Sequence, residues 1–240
     1  MSTTKKAVIT INVGNKPNVV KMFQMSRPYM EKYAEKCEAD FIVIDDNWRK
    51  DEHPCYLKQC INYYFDVDKY DQILYMDSDM LVKPDTPNLF EMVPNDKLGV
   101  YGDINRQKQI TEMYAYVSKY NELMLKYGER PIFFHEWNQT FYNAGLFICS
   151  KYTNPHIPPI CNVMRLDGTI YYDQLYFNLM IYKHRIPVFE LSHKYNRLRT
   201  VDRKIGSTDR LKDSYIIHYA GPRGKEEMSV DYNRLKRMYG

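Results

Sequence analysis

Seven residues, Ile73-Leu74-Tyr75-Met76-Asp77-Ser78-Asp79, constrain this chain more than any other stretch. Four apolar residues in succession describe a strand buried on both faces, as in a parallel sheet covered by helices. The run stops at two carboxylates spaced i, i+2, with the small Ser78 between them. Open α/β sheets bind ligands beyond the carboxyl ends of their strands, so Asp77 and Asp79 fall where a ligand would sit. Two such acids suit a divalent cation with oxygen ligands. An acidic turn needs only one Asp and no apolar strand leading into it, so the pattern points to a metal site.

The flanking chain predicts the sheet that carries this strand. Residues 7–13 cluster β-branched side chains and form a first strand, broken by Gly14-Asn15-Lys16-Pro17. Val19, Val20, Phe23 and Met25 open a helical face that Pro28 interrupts and residues 33–37 resume. Residues 41–44 make a second buried strand. Leu57, Cys60, Ile61, Tyr64 and Phe65 then fall at helical spacing before the Asp77 strand. This β-α-β-α-β order predicts an α/β fold with a mainly parallel central sheet and right-handed crossovers. Further on, residues 98–101 form a short strand ending near Asp103, and residues 110–127 an amphipathic helix closed by Gly128. Residues 146–149, 188–191 and 215–218 read as later strands, and Asp173 opens a helix running to about Lys183. No repeat or linker divides the chain, so residues 1–240 are expected to be one domain.

Composition narrows the function classes. The chain has 240 residues, 44% of them hydrophobic, enough for a full α/β core. A net charge of +4 is spread without a single-sign block, which argues against nucleic acid and suits a small anionic substrate. Five cysteines, an odd number without metal-type spacing, point to a reducing compartment and a cytoplasmic location. The first apolar run is broken by Asn12 and is too short for a secretory leader. No run approaches the ~20 residues of a transmembrane helix.

A second anchor lies near the far end. His218 ends an apolar run, as Asp77 does, and Gly221, Arg223, Gly224 and Lys225 follow it. The glycines allow the backbone close to a ligand, and the cations favour an anion. An imidazole with two carboxylates makes a reasonable Mn²⁺ set, nitrogen softening an otherwise Mg²⁺-like site. Asn143-Ala144-Gly145 precedes a strand; its small residues either leave room for a ligand or make a tight turn. Asp173-Gln174 opens a helix, where Asp is also an ordinary first-turn residue.

Taken in order, Met-Asp-Ser-Asp, Tyr-Asn-Ala-Gly, Asp-Gln-Leu and His-Tyr-Ala-Gly-x-x-Gly-Lys resemble the pattern of glycosyltransferase family 8. That family includes glycogenin and the bacterial lipooligosaccharide galactosyltransferases, and compact algal-virus glycosyltransferases are similar in size and pattern. The resemblance runs from the first strand to about Lys225. It implies a GT-A fold, a nucleotide-sugar donor (a UDP-sugar), Mn²⁺ or Mg²⁺, and a glycan or glycoprotein acceptor. It implies Asp77, Asp79 and His218 as metal ligands, with Ser78 beside the donor. Ile11, Asn12 and Val13 would receive the nucleoside, and Lys58 would reach the donor. Asp103, Asn143 and Gly145 would line the sugar pocket, with Asp173 and Gln174 near the anomeric carbon. Gly221 and Lys225 would hold the diphosphate. Where the family often has Lys-Pro-Trp, this chain reads Lys225-Glu226-Glu227, a departure that bears on the acceptor side. The family also implies retention of anomeric configuration.

The chemistry is coherent on its own terms. A nucleoside diphosphate leaves readily once its charge is neutralised, which a divalent cation and a lysine supply. The sugar then gains oxocarbenium character, which a carboxylate such as Asp173 or Asp103 can stabilise. A haloacid-dehalogenase-type phosphatase also uses a strand ending in Asp-x-Asp, but its motif continues with Thr or Val where this chain has Leu81, and it usually opens the domain. A non-catalytic nucleotide-sugar binding module is the other alternative. Phe133 to Tyr142 is an aromatic, irregular segment, and its Trp137 either faces the acceptor or covers the core.

Overall fold

Strand β3 (Gln72–Met76) has all five residues buried, and it occupies the middle of a six-stranded sheet. The computed structural model describes residues 4–46, 57–58, 61, 65, 69–103, 106–126, 131, 140–153, 172–221 and 223–239. On one side of β3 lies β1 (Lys6–Ile11), parallel to it, and beyond β1 lies β2 (Asp40–Ile44), also parallel. On the other side lies β6 (Phe141–Ser150), antiparallel, followed by β5 (Leu98–Asp103) and β7 (Val188–Leu191). Since β5 is antiparallel to β6 and parallel to β7, only β6 runs against the rest. The mainly parallel α/β sheet expected from the sequence is therefore present, with one reversed strand.

Helix α1 (Pro17–Lys36) is a single helix, not the interrupted one that Pro28 predicted. Pro28 and Gln24 both lie on the exposed face, so water can take the carbonyl that proline cannot bond. The opposite face buries Phe23, Ser26, Met30, Tyr33 and Ala34 at helical spacing. Strand β2 is half-exposed rather than buried, because it is the edge of the sheet. Of the helix expected over 57–65, Leu57, Lys58, Ile61 and Phe65 are described, and all four are buried.

Two unforeseen features build the site. β4 (Met80–Val82) pairs antiparallel with β8 (Ile216–His218), with Met80 directly opposite His218. This short ladder carries the far end of the chain to the Asp-Ser-Asp segment. β6 is also longer than predicted, since Asn143, Ala144 and Gly145 lie inside it rather than in a turn before it. Its register against β5 shifts between Val100 and Tyr101, a bulge beside Asn143; such bulges re-aim side chains near functional sites. Helix α2 (Leu89–Met92) and helix α3 (Arg106–Lys126) follow β4 and β5, and helix α4 (Tyr172–Lys183) packs on β6. A 3₁₀ turn (His193–Tyr195), helix α5 (Arg199–Ile205) and helix α6 (Arg210–Asp213) lead into β8. Helix α7 (Gly224–Tyr239) packs on α1, where the Tyr29 and Tyr232 rings meet edge-on at 6.1 Å.

Candidate metal and nucleotide site

Three ligand-type side chains converge just beyond β3. One carboxylate oxygen each from Asp77 and Asp79 and a ring nitrogen of His218 lie within 4.8 Å of one another. His218 Nε2 is 3.3 Å from Asp79 Oδ1 and 3.8 Å from Asp77 Oδ2. Backbone pairing holds the arrangement: Asp77 N–H donates to Gly145 O at 2.8 Å, and Tyr219 N–H to Asp79 O at 3.0 Å. Ser26 Oγ, from α1, donates to Ser78 O at 2.7 Å and pins the residue between the acids.

The electrostatics are those of a site short of positive charge. Burial raises the Asp77 carboxyl above its usual range, and Asp79 adds to this against the pull of Lys58. Burial also acts to raise Asp79, but the His218 ring outweighs it and holds that carboxyl below its ordinary value. Burial would lower His218, yet the Asp79 carboxylate raises it instead. Asp79 Oδ1 is buried and makes no hydrogen bond among the described residues. Two carboxylate oxygens and one imidazole nitrogen, one of the oxygens without a hydrogen bond, fit a divalent cation of the Mn²⁺ or Mg²⁺ type.

Lys58 is buried between two acids. Its Nζ lies 2.7 Å from Asp173 Oδ2 and 3.1 Å from Asp77 Oδ1, and it donates to Ala144 O at 3.3 Å. Burial would lower its pKa, but Asp173 and Asp77 together raise it well above the ordinary lysine value. Tyr75 Oη donates to Asp77 Oδ1 at 2.6 Å. Thus Oδ1 of Asp77 is engaged by protein donors, while Oδ2 faces His218.

Asn143 is a hub. Its Oδ1 accepts from Gly145 N–H at 2.9 Å and from Asn196 Nδ2 at 2.9 Å, and its Nδ2 donates to Gln174 Oε1 at 3.1 Å. Gln174 Oε1 also accepts from Ala144 N–H at 3.3 Å. Gln174 Nε2 is buried with no partner among the described residues, so this amide has a donor to spare. The space that a side chain on Gly145 would fill holds the His218 ring and the Asp77 carboxylate.

A cavity of about 480 Å³ opens on these groups. Ile11, Val13, Lys58, Asp77, Ser78, Asp79, Asn143, Gly145, Asp173, Gln174, His218 and Gly221 all line it, so most of the residues singled out in the sequence share one wall. Val19 and Met22 of α1 line it as well. Asn12 N–H donates to Ile44 O at 2.9 Å, and its Oδ1 is buried without a partner among the described residues. Asp103 closes β5, but its side chain lies outside the described residues, as does the Trp137 segment over 132–139. Lys225 does not line the cavity, and its Nζ donates to Asn18 Oδ1 at 2.9 Å.

Tyr75, Ser26, Asn18 and Asn196 were not foreseen. Tyr75 reads as core from its position in β3, and only the two-residue offset to Asp77 hints that both side chains share one face. Asn196 sits in an irregular segment that carries no motif.

No protein-family model matches the sequence, and no curated protein matches it. Solved structures do. A glycosyltransferase involved in glycosylation of the major capsid of PBCV-1 superposes with a TM-score of 0.56 at 14% identity, over 93% of this chain and 99% of that one. The galactosyltransferase LgtC, solved with donor and acceptor sugar analogues, gives 0.54 at 16% identity over 95% of both chains. The bifunctional glycosyltransferase WbbM gives 0.55 at 14% identity, over 98% of this chain and 51% of that one. The fold is therefore the GT-A glycosyltransferase fold, a mostly parallel sheet flanked by helices.

Proposed function

We propose that this chain is a metal-dependent glycosyltransferase. It moves a hexose-type sugar from a UDP-sugar to a glycan or protein-linked acceptor with retention, and residues 1–240 work as one GT-A unit. The observation that carries the reading is the meeting of Asp77, Asp79 and His218 at a cavity of about 480 Å³ on a GT-A sheet. The similarity to LgtC, solved with donor and acceptor sugar analogues, supports a nucleotide-sugar donor. No helix among the described residues is long and apolar enough to cross a membrane.

Asp77, Asp79 and His218 would hold the cation. When bound, it neutralises the diphosphate and makes it a better leaving group. The chain's own residues do the rest. Ile11 and Val13, which line the cavity, receive the nucleoside at the end of β1, with Asn12 between them. Gly221 brings backbone close to the diphosphate, and Lys225 turns from Asn18 to its oxygens. Lys58 keeps Asp77 and Asp173 apart in charge and fixed in place. Asp173 faces the sugar and stabilises developing positive charge. Gln174 gives its spare Nε2–H to a sugar oxygen.

A thermal-shift panel of nucleotide sugars, with and without Mn²⁺, tests this directly. A ligand that binds only the folded state raises the midpoint by mass action. A UDP-sugar should raise it only with metal present, and that sugar should then be transferred. Binding without turnover in any acceptor screen would favour the binding-module reading. Release of inorganic phosphate from simple phosphomonoesters would favour the phosphatase.

A further inference from the structure

We infer that Asn196 selects which nitrogen of His218 faces the cation site, by fixing the proton of the ring on Nδ1. This rests on reading Asp77, Asp79 and His218 as that site.

The polarity of the network starts at two backbone N–H groups, which can only donate. Gly145 N–H points at Asn143 Oδ1 at 2.9 Å, so that atom is an acceptor. Ala144 N–H points at Gln174 Oε1 at 3.3 Å, so that atom is also an acceptor, and Asn143 must meet it with Nδ2. Both ends of the Asn143 amide are thereby assigned. The Asn196 atom 2.9 Å from Asn143 Oδ1 must then be Nδ2. Asn196 consequently turns Oδ1 to His218 Nδ1, also at 2.9 Å. A carbonyl oxygen there accepts only, so Nδ1 carries a proton. Nε2 is left facing Asp77 Oδ2 and Asp79 Oδ1, as a ligand requires.

Asn196 is fully buried and does not line the cavity, so it is a positioning residue. Its backbone is held as well. The next residue, Arg197, donates N–H to Ile216 O at 3.0 Å and accepts from His218 N–H at 3.1 Å. The orientation of the ligand is thus set from β6, through Asn143 and Asn196, rather than from the ligand's own strand. Such partners of metal-binding histidines fix tautomer and ring orientation, and their loss typically costs about 10–100-fold in metal affinity.

The test is Mn²⁺ binding without nucleotide, followed by the electron-paramagnetic signal of the free ion, in wild type, His218→Ala, Asn196→Ala and Asn196→Asp. The wild type should bind and His218→Ala should lose affinity; if these two do not differ, the cation-site reading fails and this inference falls with it. Given that difference, Asn196→Ala should weaken Mn²⁺ by about 10–100-fold. Asn196→Asp keeps an acceptor against Nδ1 while losing the donor to Asn143, and it should restore affinity. Wild-type affinity in Asn196→Ala overturns the inference alone, as does equal loss in both folded Asn196 variants, which would mean a packing role only. Should the Asn196 variants not fold, the wild type decides. Loaded with an NMR-active cadmium isotope, it should show metal coupling at Nε2 of His218 and a retained proton at Nδ1. Coupling at Nδ1 overturns the inference.

Discussion

A Cβ placed on Gly145 would stand 2.5 Å from Cε1 of His218 and 2.8 Å from Asp77 Oδ2. The glycine is what lets β6 pass beside the two ligand-type residues while the His218 ring reaches Asp79. Neither neighbour can yield freely, since His218 is buried and bonded to Asn196, and Asp77 is held by Tyr75 and Lys58.

Gly145→Ala should therefore displace the ring. Overpacking of this kind costs about 1–3 kcal/mol of stability, and Mn²⁺ affinity should fall about tenfold or more as a ligand leaves the set. Chemical denaturation and metal titration on the same variant check both. Intact metal affinity would mean that His218 is not a ligand.

Lys58→Met keeps the volume and removes the charge between Asp77 and Asp173. Breaking a buried ion pair from one side costs about 3–5 kcal/mol, and the low end applies here because the Asp77 side chain is 27% exposed. Added Mn²⁺ should recover part of the loss in Lys58→Met, since a cation replaces some of the missing positive charge. Urea unfolding with and without metal measures this. A variant as stable as wild type in the absence of metal would contradict the role assigned to Lys58.

Lys225 and Asn18 separate two effects. Their bond joins exposed groups on α7 and α1, and exposed contacts contribute little to stability. Lys225→Ala should leave the melting temperature nearly unchanged and weaken UDP binding about tenfold, as expected for loss of a charge-assisted bond. Asn18→Ala frees the lysine and should leave UDP affinity equal or higher. If both variants lose UDP affinity alike, the contact itself shapes the pocket and Lys225 does not meet the diphosphate. Calorimetric titration of UDP distinguishes the outcomes.

Much of the architecture was legible because it depends on local pattern. β3 announced itself by an unbroken apolar run, and residues 188–191, read as a late strand, are β7. The Asp77, Asp79 and His218 set was legible because Asp77 and His218 each end an apolar run and Asp79 follows Asp77 by two residues. What failed to show depends on pairing across long separations. Nothing in Met80–Val82 signals a strand until β8 lies opposite. The Asn-Ala-Gly segment was expected ahead of the strand because small residues are poor strand formers, yet it lies inside β6, with Asn143 paired to Tyr101 of β5. α1 stayed whole because Pro28 faces solvent, which periodicity does not weigh. Asn196 was invisible because its value lies in the direction of one amide, set by backbone atoms of another strand.

The decisive measurement is the affinity of UDP with and without Mn²⁺, in wild type and in Asp79→Asn. Asp79 is half-buried, and its Oδ1 meets His218 rather than any structural donor, so the amide should fold. Wild-type protein should bind UDP about tenfold or more tightly with Mn²⁺ than without it. Asp79→Asn should lose that metal dependence and all sugar transfer while keeping a near-normal melting temperature. UDP affinity that is the same with and without Mn²⁺ in the wild type, or a metal dependence that survives in folded Asp79→Asn, would contradict a metal–diphosphate site at Asp77, Asp79 and His218.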